Sequence, residues 1–242
     1  MTPLVLLPGM NCTADLWTGC GVDDAVTPAL TETAMRPQVE ALLERLPQRF
    51  VLGGLSLGAI VAMALAIRAP HRVEGLVLIS TNAKAPTAPQ QNGWREWIAR
   101  LDAGSTARQL QEGILDSLLS PRTLQDRPDI VERTLAMGDA TGPAVLRTQL
   151  GMQATRVDLR PGLRGLDIPA LIIAGADDVI CPPEFHAEIA AELPNARLVT
   201  TAGAHLLPLE RPTAIGAMIH KWRTRLDESA HLHRSPSGFA RR

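Results

Sequence analysis

Residues 54–58 read Gly-Leu-Ser-Leu-Gly, which sets Ser56 between two glycines. The pentapeptide follows the apolar run Arg49-Phe50-Val51-Leu52 and opens a small-residue stretch, 57–69, with the look of a helix. A strand that turns this tightly into a helix forces its central residue into a sparsely populated backbone region. A side chain two residues to either side would strike the crossing backbone, and glycine removes that collision. The hydroxyl then projects from the turn beside helix-initial N–H groups that lack intrahelical acceptors and attract negative charge. The chemistry this suits is nucleophilic attack by a serine oxygen on an electrophilic carbon, with backbone N–H groups receiving the developing oxyanion.

A serine hydroxyl needs a base to take its proton, and the base needs an acid to orient it. On a sheet carrying this turn the acid and then the histidine follow in the chain, each after a later strand. The run Ala170-Leu171-Ile172-Ile173-Ala174-Gly175 leads into Asp177 and Asp178, two candidate acids. The run Ala196-Arg197-Leu198-Val199-Thr200-Thr201 leads into Ala204-His205. His71, His186 and His220 fall on helices or a helix-to-strand loop, and His231 and His233 in the C-terminal tail, so His205 is the expected base. The loop one strand earlier, Ser80-Thr81-Asn82-Ala83-Lys84, holds no carboxylate. Two backbone donors are expected for the oxyanion: the N–H of Leu57, directly after the serine, and that of Met10, in the turn Leu7-Pro8-Gly9-Met10 after the first strand.

The elements that must position these groups alternate. Apolar runs at 3–8, 49–54, 73–81, 168–175 and 196–201 have the character of strands buried on both faces. A further candidate at 25–30 contains Pro28, which suits an edge. Helical spacing recurs at 35–46, 57–69, 183–193 and near 207–226. Between 84 and 165 the alternation stops and helical stretches dominate, at 94–101, 106–119, 129–137 and 144–152. Strand–helix alternation predicts an α/β fold with a parallel sheet. The helical block is expected to lie over the carboxyl ends of the strands, where open sheets of this kind bind ligands. The boundaries expected are a core of residues 1–83 and 166–227, a helical cap of 84–165, and a disordered tail of 228–242.

Composition narrows the partners. The chain has 242 residues, a formal net charge of -1, and 45% hydrophobic against 20% charged residues, which suits a globular domain and not a nucleic-acid surface. The opening Met1-Thr2-Pro3-Leu4 lacks a basic region and its apolar run breaks at Pro8-Gly9, so neither a signal peptide nor a membrane span is expected and the cytoplasm is the expected location. Cys12, Cys20 and Cys181 suit neither a disulfide framework nor a zinc site, and no metal or cofactor is expected.

The segments Val5–Met10, Gly53–Ala59, Arg68–Ser80, Leu171–Glu184 and Ala202–Pro212 together resemble the α/β-hydrolase superfamily, and their spacing is similar to the small capped carboxylesterases and 3-oxoadipate enol-lactonase-like members. The resemblance implies a Ser56–His205–Asp178 triad with Met10 and Leu57 as oxyanion donors. Asp178 is preferred over Asp177 because Gly175, Asp178 and Pro182 fill the family's Gly-x-x-Asp-x-x-x-Pro pattern. It implies hydrolysis of a carboxylic ester or lactone, a small-molecule substrate, through an acyl-enzyme. The alternatives are a lyase, cyclase or C–C bond cleaving enzyme on the same scaffold, or a ligand-binding protein without turnover.

The chain departs from that pattern by starting at what is usually the third strand, which implies a mostly parallel sheet of about six strands lacking the usual first two. Pro8-Gly9 stands for the usual His-Gly, and Ala204 for the glycine common before the histidine. Candidate substrate contacts are Trp94, Trp97, Met137 and Met152 in the helical block and Trp17 near the first turn, while Arg95, Arg100 or Arg147 could hold a carboxylate. Monomer and homodimer both stay open.

Overall fold

The structure, a computed structural model, describes residues 2–234. Five strands, β1 (Leu4–Leu7), β2 (Phe50–Leu55), β3 (Val73–Ile79), β4 (Ala170–Gly175) and β5 (Ala196–Thr201), form one sheet in the order β1-β2-β3-β4-β5. Every pairing is parallel. The expected sixth strand at 25–30 contributes only the parallel bridge Val5↔Val26, with Leu6 N–H donating to the Val26 carbonyl at 3.0 Å and Val26 N–H to the Leu4 carbonyl at 2.9 Å. The edge position expected for it holds, but Pro28 has no N–H to extend the ladder.

Helices cover both faces, which is why the strands read as unbroken apolar runs. α1 (Met35–Arg45) and α2 (Leu57–Arg68) pack with Val5, Leu7, Leu52, Leu78 and Ile172 on one face. Leu4, Leu6, Val77, Ile79 and Ile173 face the other way, toward Trp17, Ile215 and Trp222. β5 is the exception: it lies at the edge of the sheet, and its Leu198 is 38% exposed.

Six helices lie between β3 and β4 among the described residues: α3 (Ala88–Asp102), α4 (Ala107–Glu112), α5 (Leu115–Leu118), α6 (Pro121–Asp126), α7 (Pro128–Ala154) and α8 (Arg160–Leu163). The stretch 106–119, expected as one helix, breaks at Gly113-Ile114. The stretches 129–137 and 144–152 form one kinked rod, interrupted where Gly142 adopts φ 71 before Pro143. Gly takes that conformation without a Cβ clash, and the proline ring disfavours helical backbone in the residue before it.

After β4 come α9 (Pro183–Glu192) and, after β5, α10 (Leu207–Glu210) and α11 (Pro212–Arg234). The expected tail begins at 228, but α11 carries the chain on as helix through Arg234, and residues 235–242 lie outside the described residues.

Candidate active site

Ser56 ends β2 and caps α2 with φ 53 and ψ -115, one of three positive-φ residues other than glycine among those described. Its backbone is held on both sides: Ser56 N–H donates to the Ile79 carbonyl at 3.0 Å, and its own carbonyl accepts from Ile60 N–H at 3.0 Å and Thr81 Oγ1 at 3.1 Å. Such a conformation persists only where the surroundings over-determine it. The flanking glycines are required by contact distance. A Cβ on Gly54 would lie 2.5 Å from the Gly58 carbonyl carbon, and one on Gly58 would lie 2.3 Å from the Leu7 carbonyl oxygen.

Asp178 and His205 come from the loops after β4 and β5 and meet in the interior. His205 is 3% exposed and Asp178 2%. His205 Nδ1 lies 2.9 Å from Asp178 Oδ2 and 3.1 Å from Oδ1. The same Oδ1 accepts from the N–H groups of Ile180 and Cys181, both at 2.9 Å. Three donors thus converge on one carboxylate and fix its plane. Nδ1–H directed at the carboxylate leaves Nε2 as the free, basic nitrogen of the ring.

Asp177 is exposed and points elsewhere, accepting from Gly203 N–H at 3.4 Å. The two loops approach so closely that a Cβ on Gly175 would stand 2.5 Å from the Ala204 carbonyl oxygen. The loop of His205 is anchored in turn by Glu210, whose Oε2 accepts from Ala204 N–H and whose Oε1 accepts from Ser120 N–H, at 2.6 and 2.8 Å.

Ser56 and His205 line one cavity of about 300 Å³, together with Gly9, Met10, Trp94 and Trp97. This is the low end of the size range of small-ligand pockets. Leu57 begins α2, where its N–H has no carbonyl one turn back to bind, and its side chain is fully buried in the core. Of the candidate substrate contacts, Trp94 and Trp97 border the cavity. Trp17, Met137 and Met152 do not. Trp17 and Met137 are buried in the apolar cluster that contains Leu4 and Ile173, and Met152 in the one that contains residues of α1 and α2. Arg95 and Arg147 are engaged at the surface with Asn92 and Asp102.

The spacing of residues did not announce three further groups. Asn11, with φ 57, ties the turn after β1 to the helices above it: its N–H donates to Gln149 Oε1 at 2.8 Å and its Nδ2 to Gln111 Oε1 at 2.6 Å. This buried amide network fixes the backbone at Met10. Cys181 follows the Asp178 loop, and burial, with the nearby Asp178 charge adding to it, pushes its thiol up to about 12. Arg156, just past the end of α7, is 7% exposed and borders the cavity. No pattern of types could have found it, because an isolated arginine after a helix ordinarily lies at the surface.

The α/β-hydrolase family profile matches residues 5–217. A protein named non-heme bromoperoxidase BpoC, from Mycobacterium tuberculosis, is 31% identical over 91% of this chain and 85% of its own length. A pimeloyl-acyl-carrier-protein methyl ester esterase from Aromatoleum aromaticum is 32% identical over 81% of this chain and 87% of its own. Among solved structures, a thermophilic esterase from Thermogutta terrifontis with malate bound superposes with a TM-score of 0.84 at 24% identity, covering 93% of this chain and 90% of that one.

Proposed function

The chain belongs to the α/β-hydrolase family, and from that premise we propose that it is a serine hydrolase that cleaves a carboxylic ester or lactone through an acyl-enzyme. One observation carries this reading: His205, paired with the buried Asp178, and the strained Ser56 border the same cavity. The names of the esterase relatives support an ester carbonyl as the electrophile.

In this reading Ser56 Oγ attacks the acyl carbon while His205 Nε2 takes its proton. Asp178 holds the imidazole by Nδ1–H and stabilises its cationic form. The N–H groups of Met10 and Leu57 receive the oxyanion, each worth about 3 kcal/mol in the transition state. As the tetrahedral intermediate collapses, His205 returns the proton to the departing alcohol oxygen. A water molecule, deprotonated by the same ring, then attacks the acyl-enzyme and releases the acid and free Ser56. Residues 84–165 act as a cap over a core of 1–83 and 166–227, because α3, α4 and α7 complete the cavity that β2 opens.

The test compares hydrolysis of p-nitrophenyl butyrate by four proteins. Ser56→Ala should lose several orders of magnitude in kcat, and Asp178→Asn about 10⁴-fold. Asp177→Asn should stay within about threefold of wild type, since its side chain reaches only a backbone amide of the neighbouring loop. A fluorophosphonate should add one mass adduct on Ser56. Wild-type turnover by Ser56→Ala, or an adduct elsewhere, overturns the assignment.

A further inference from the structure

Arg156 is a buried cation without a counter-ion. The residue is only 7% exposed, yet no carboxylate among the described residues pairs with it. Nη1 donates to Gln153 Oε1 at 2.8 Å and Nη2 to the Lys84 carbonyl at 3.3 Å, both neutral acceptors. Nε–H, fully buried, has no acceptor at all. The Trp94 ring, with its centroid 5.5 Å from Cζ, supports the guanidinium from one side and leaves its charge in place.

The nearby ionisable groups supply no compensation. The Cys181 thiol, raised by burial to about 12, is neutral. Glu188, the acid on the adjacent helix α9, is already shared by Lys84 Nζ and Arg160. Asp178 is committed to His205. Burial accordingly lowers the Arg156 pKa, the mark of a cation held in a dry place without an anion. An arginine does not escape such a position by losing its proton, so an unpaired one is a standing cost in a folded protein.

The cavity wall explains what could lift that cost. Among the described residues no aspartate or glutamate borders it, and Arg156 is the one permanent cation in a lining otherwise made of His205 and apolar or uncharged polar groups. We infer that Arg156 receives a carboxylate of the substrate, so that the preferred ester or lactone carries a free carboxylate within the same small molecule. The inference rests on the hydrolase reading of Ser56 for the word ester, and on Arg156 alone for the word carboxylate. A planar carboxylate matches the donor fork of a guanidinium. The cavity of about 300 Å³ leaves room for a short chain between the two charged and reacting ends. The substrate class is therefore a half-ester of a short dicarboxylic acid, or a lactone with a carboxylate arm.

The experiment measures kcat/KM for the monomethyl esters of succinate, glutarate and adipate against the matching monomethyl ester monoamides, in which the carboxylate is replaced by a neutral carboxamide. Wild type should prefer the best acid over its amide by about 100-fold or more, because a site built around a buried donor set rejects the analogue that leaves it unpaired. In Arg156→Gln that ratio should fall to about one, and Arg156→Lys, which keeps the charge without the fork, should retain part of it. Binding gives a second readout that needs no turnover. Calorimetry with monomethyl glutarate on the Ser56→Ala protein should show binding that weakens at least about 50-fold when Arg156→Gln is added.

A wild-type ratio near one, or a ratio unchanged in Arg156→Gln, overturns the inference even while Ser56-dependent ester hydrolysis stands. Were no ester turned over at all, the hydrolase reading would fall. The calorimetry would then decide the carboxylate site by itself: Arg156-dependent binding supports it and absence of binding sinks it.

Discussion

A buried imidazole with both nitrogens engaged cannot take a second proton without breaking a hydrogen bond. His186 is in that position. Its Nε2 accepts from Thr81 N–H at 2.9 Å, which fixes the proton on Nδ1, 3.3 Å from the Pro182 carbonyl. Burial is the main influence and lowers its pKa below the ordinary value; the Pro182 carbonyl and the Asp178 charge pull it back, and His205 pushes it further down. In the unfolded chain the ring protonates near pH 6.5. Between that value and the lower folded one, the unfolded state binds more protons, so stability rises with pH through the window. The His186 contribution is complete above the unfolded pKa and is lost as pH falls through the folded one. Urea midpoints should therefore drop between about pH 7.5 and about pH 5. His186→Gln, whose amide oxygen can still accept from Thr81 N–H, should show a shallower drop. Equal slopes in the two proteins would mean that His186 charges freely in the folded state. The same residue matters to the site because Thr81 also holds the Ser56 carbonyl.

At the scale of elements, the strand-to-helix turn has no slack. α2 passes so near β1 that a single methyl at residue 58 would overlap the Leu7 and Pro8 carbonyl oxygens, at 2.3 and 2.5 Å. Gly58→Ala should lower the melting temperature by about 10 °C or more, since neither partner is a flexible side chain. Gly93→Ala is the contrast: its added Cβ meets nothing within 4 Å inside α3, and it should be neutral or raise stability by up to about 1 kcal/mol. Thermal unfolding followed by circular dichroism reads both, and a Gly58→Ala protein that melts like wild type would remove the argument for the pentapeptide. This collision is local in sequence, and so the Gly-Leu-Ser-Leu-Gly turn, its strand and its helix could be read without coordinates. The same holds for β1 through β4, whose burial on both faces leaves an apolar run in the chain. What could not be read is decided by contacts between distant segments. Asn11 meets Gln149 and Gln111 across more than ninety positions. Trp17 and Trp94 are the same residue type, and only the placement of their elements puts one in the buried cluster around Leu4 and Ile173 and the other at the cavity. Arg156 is legible only once its burial and its missing anion are seen together.

For the molecule as a whole, the cavity joins a rigid half to a loosely held one. α2 has nine buried residues and sits in the largest apolar cluster. α3 has none; Trp94, Trp97, Ile98 and Leu101 are half-buried and rest on a small separate cluster of Ala107, Leu110, Leu146 and Leu150. An element with so little buried apolar surface opens at a lower free-energy cost than one inside the core. Amides of Ala88–Asp102 should therefore exchange with solvent deuterium at least about 100-fold faster than those of Leu57–Arg68. The capping box at Thr87 and Gln90 slows fraying at one end of α3 but cannot supply the missing packing. Filling the cavity gives Trp94 and Trp97 the apolar partner they lack, so a fluorophosphonate on Ser56 should slow exchange in α3 while leaving α11 unchanged. Equal exchange in α2 and α3 would show that the helices between β3 and β4 are as firmly seated as the sheet. Substrate would then have to enter through an opening already present, without movement of α3.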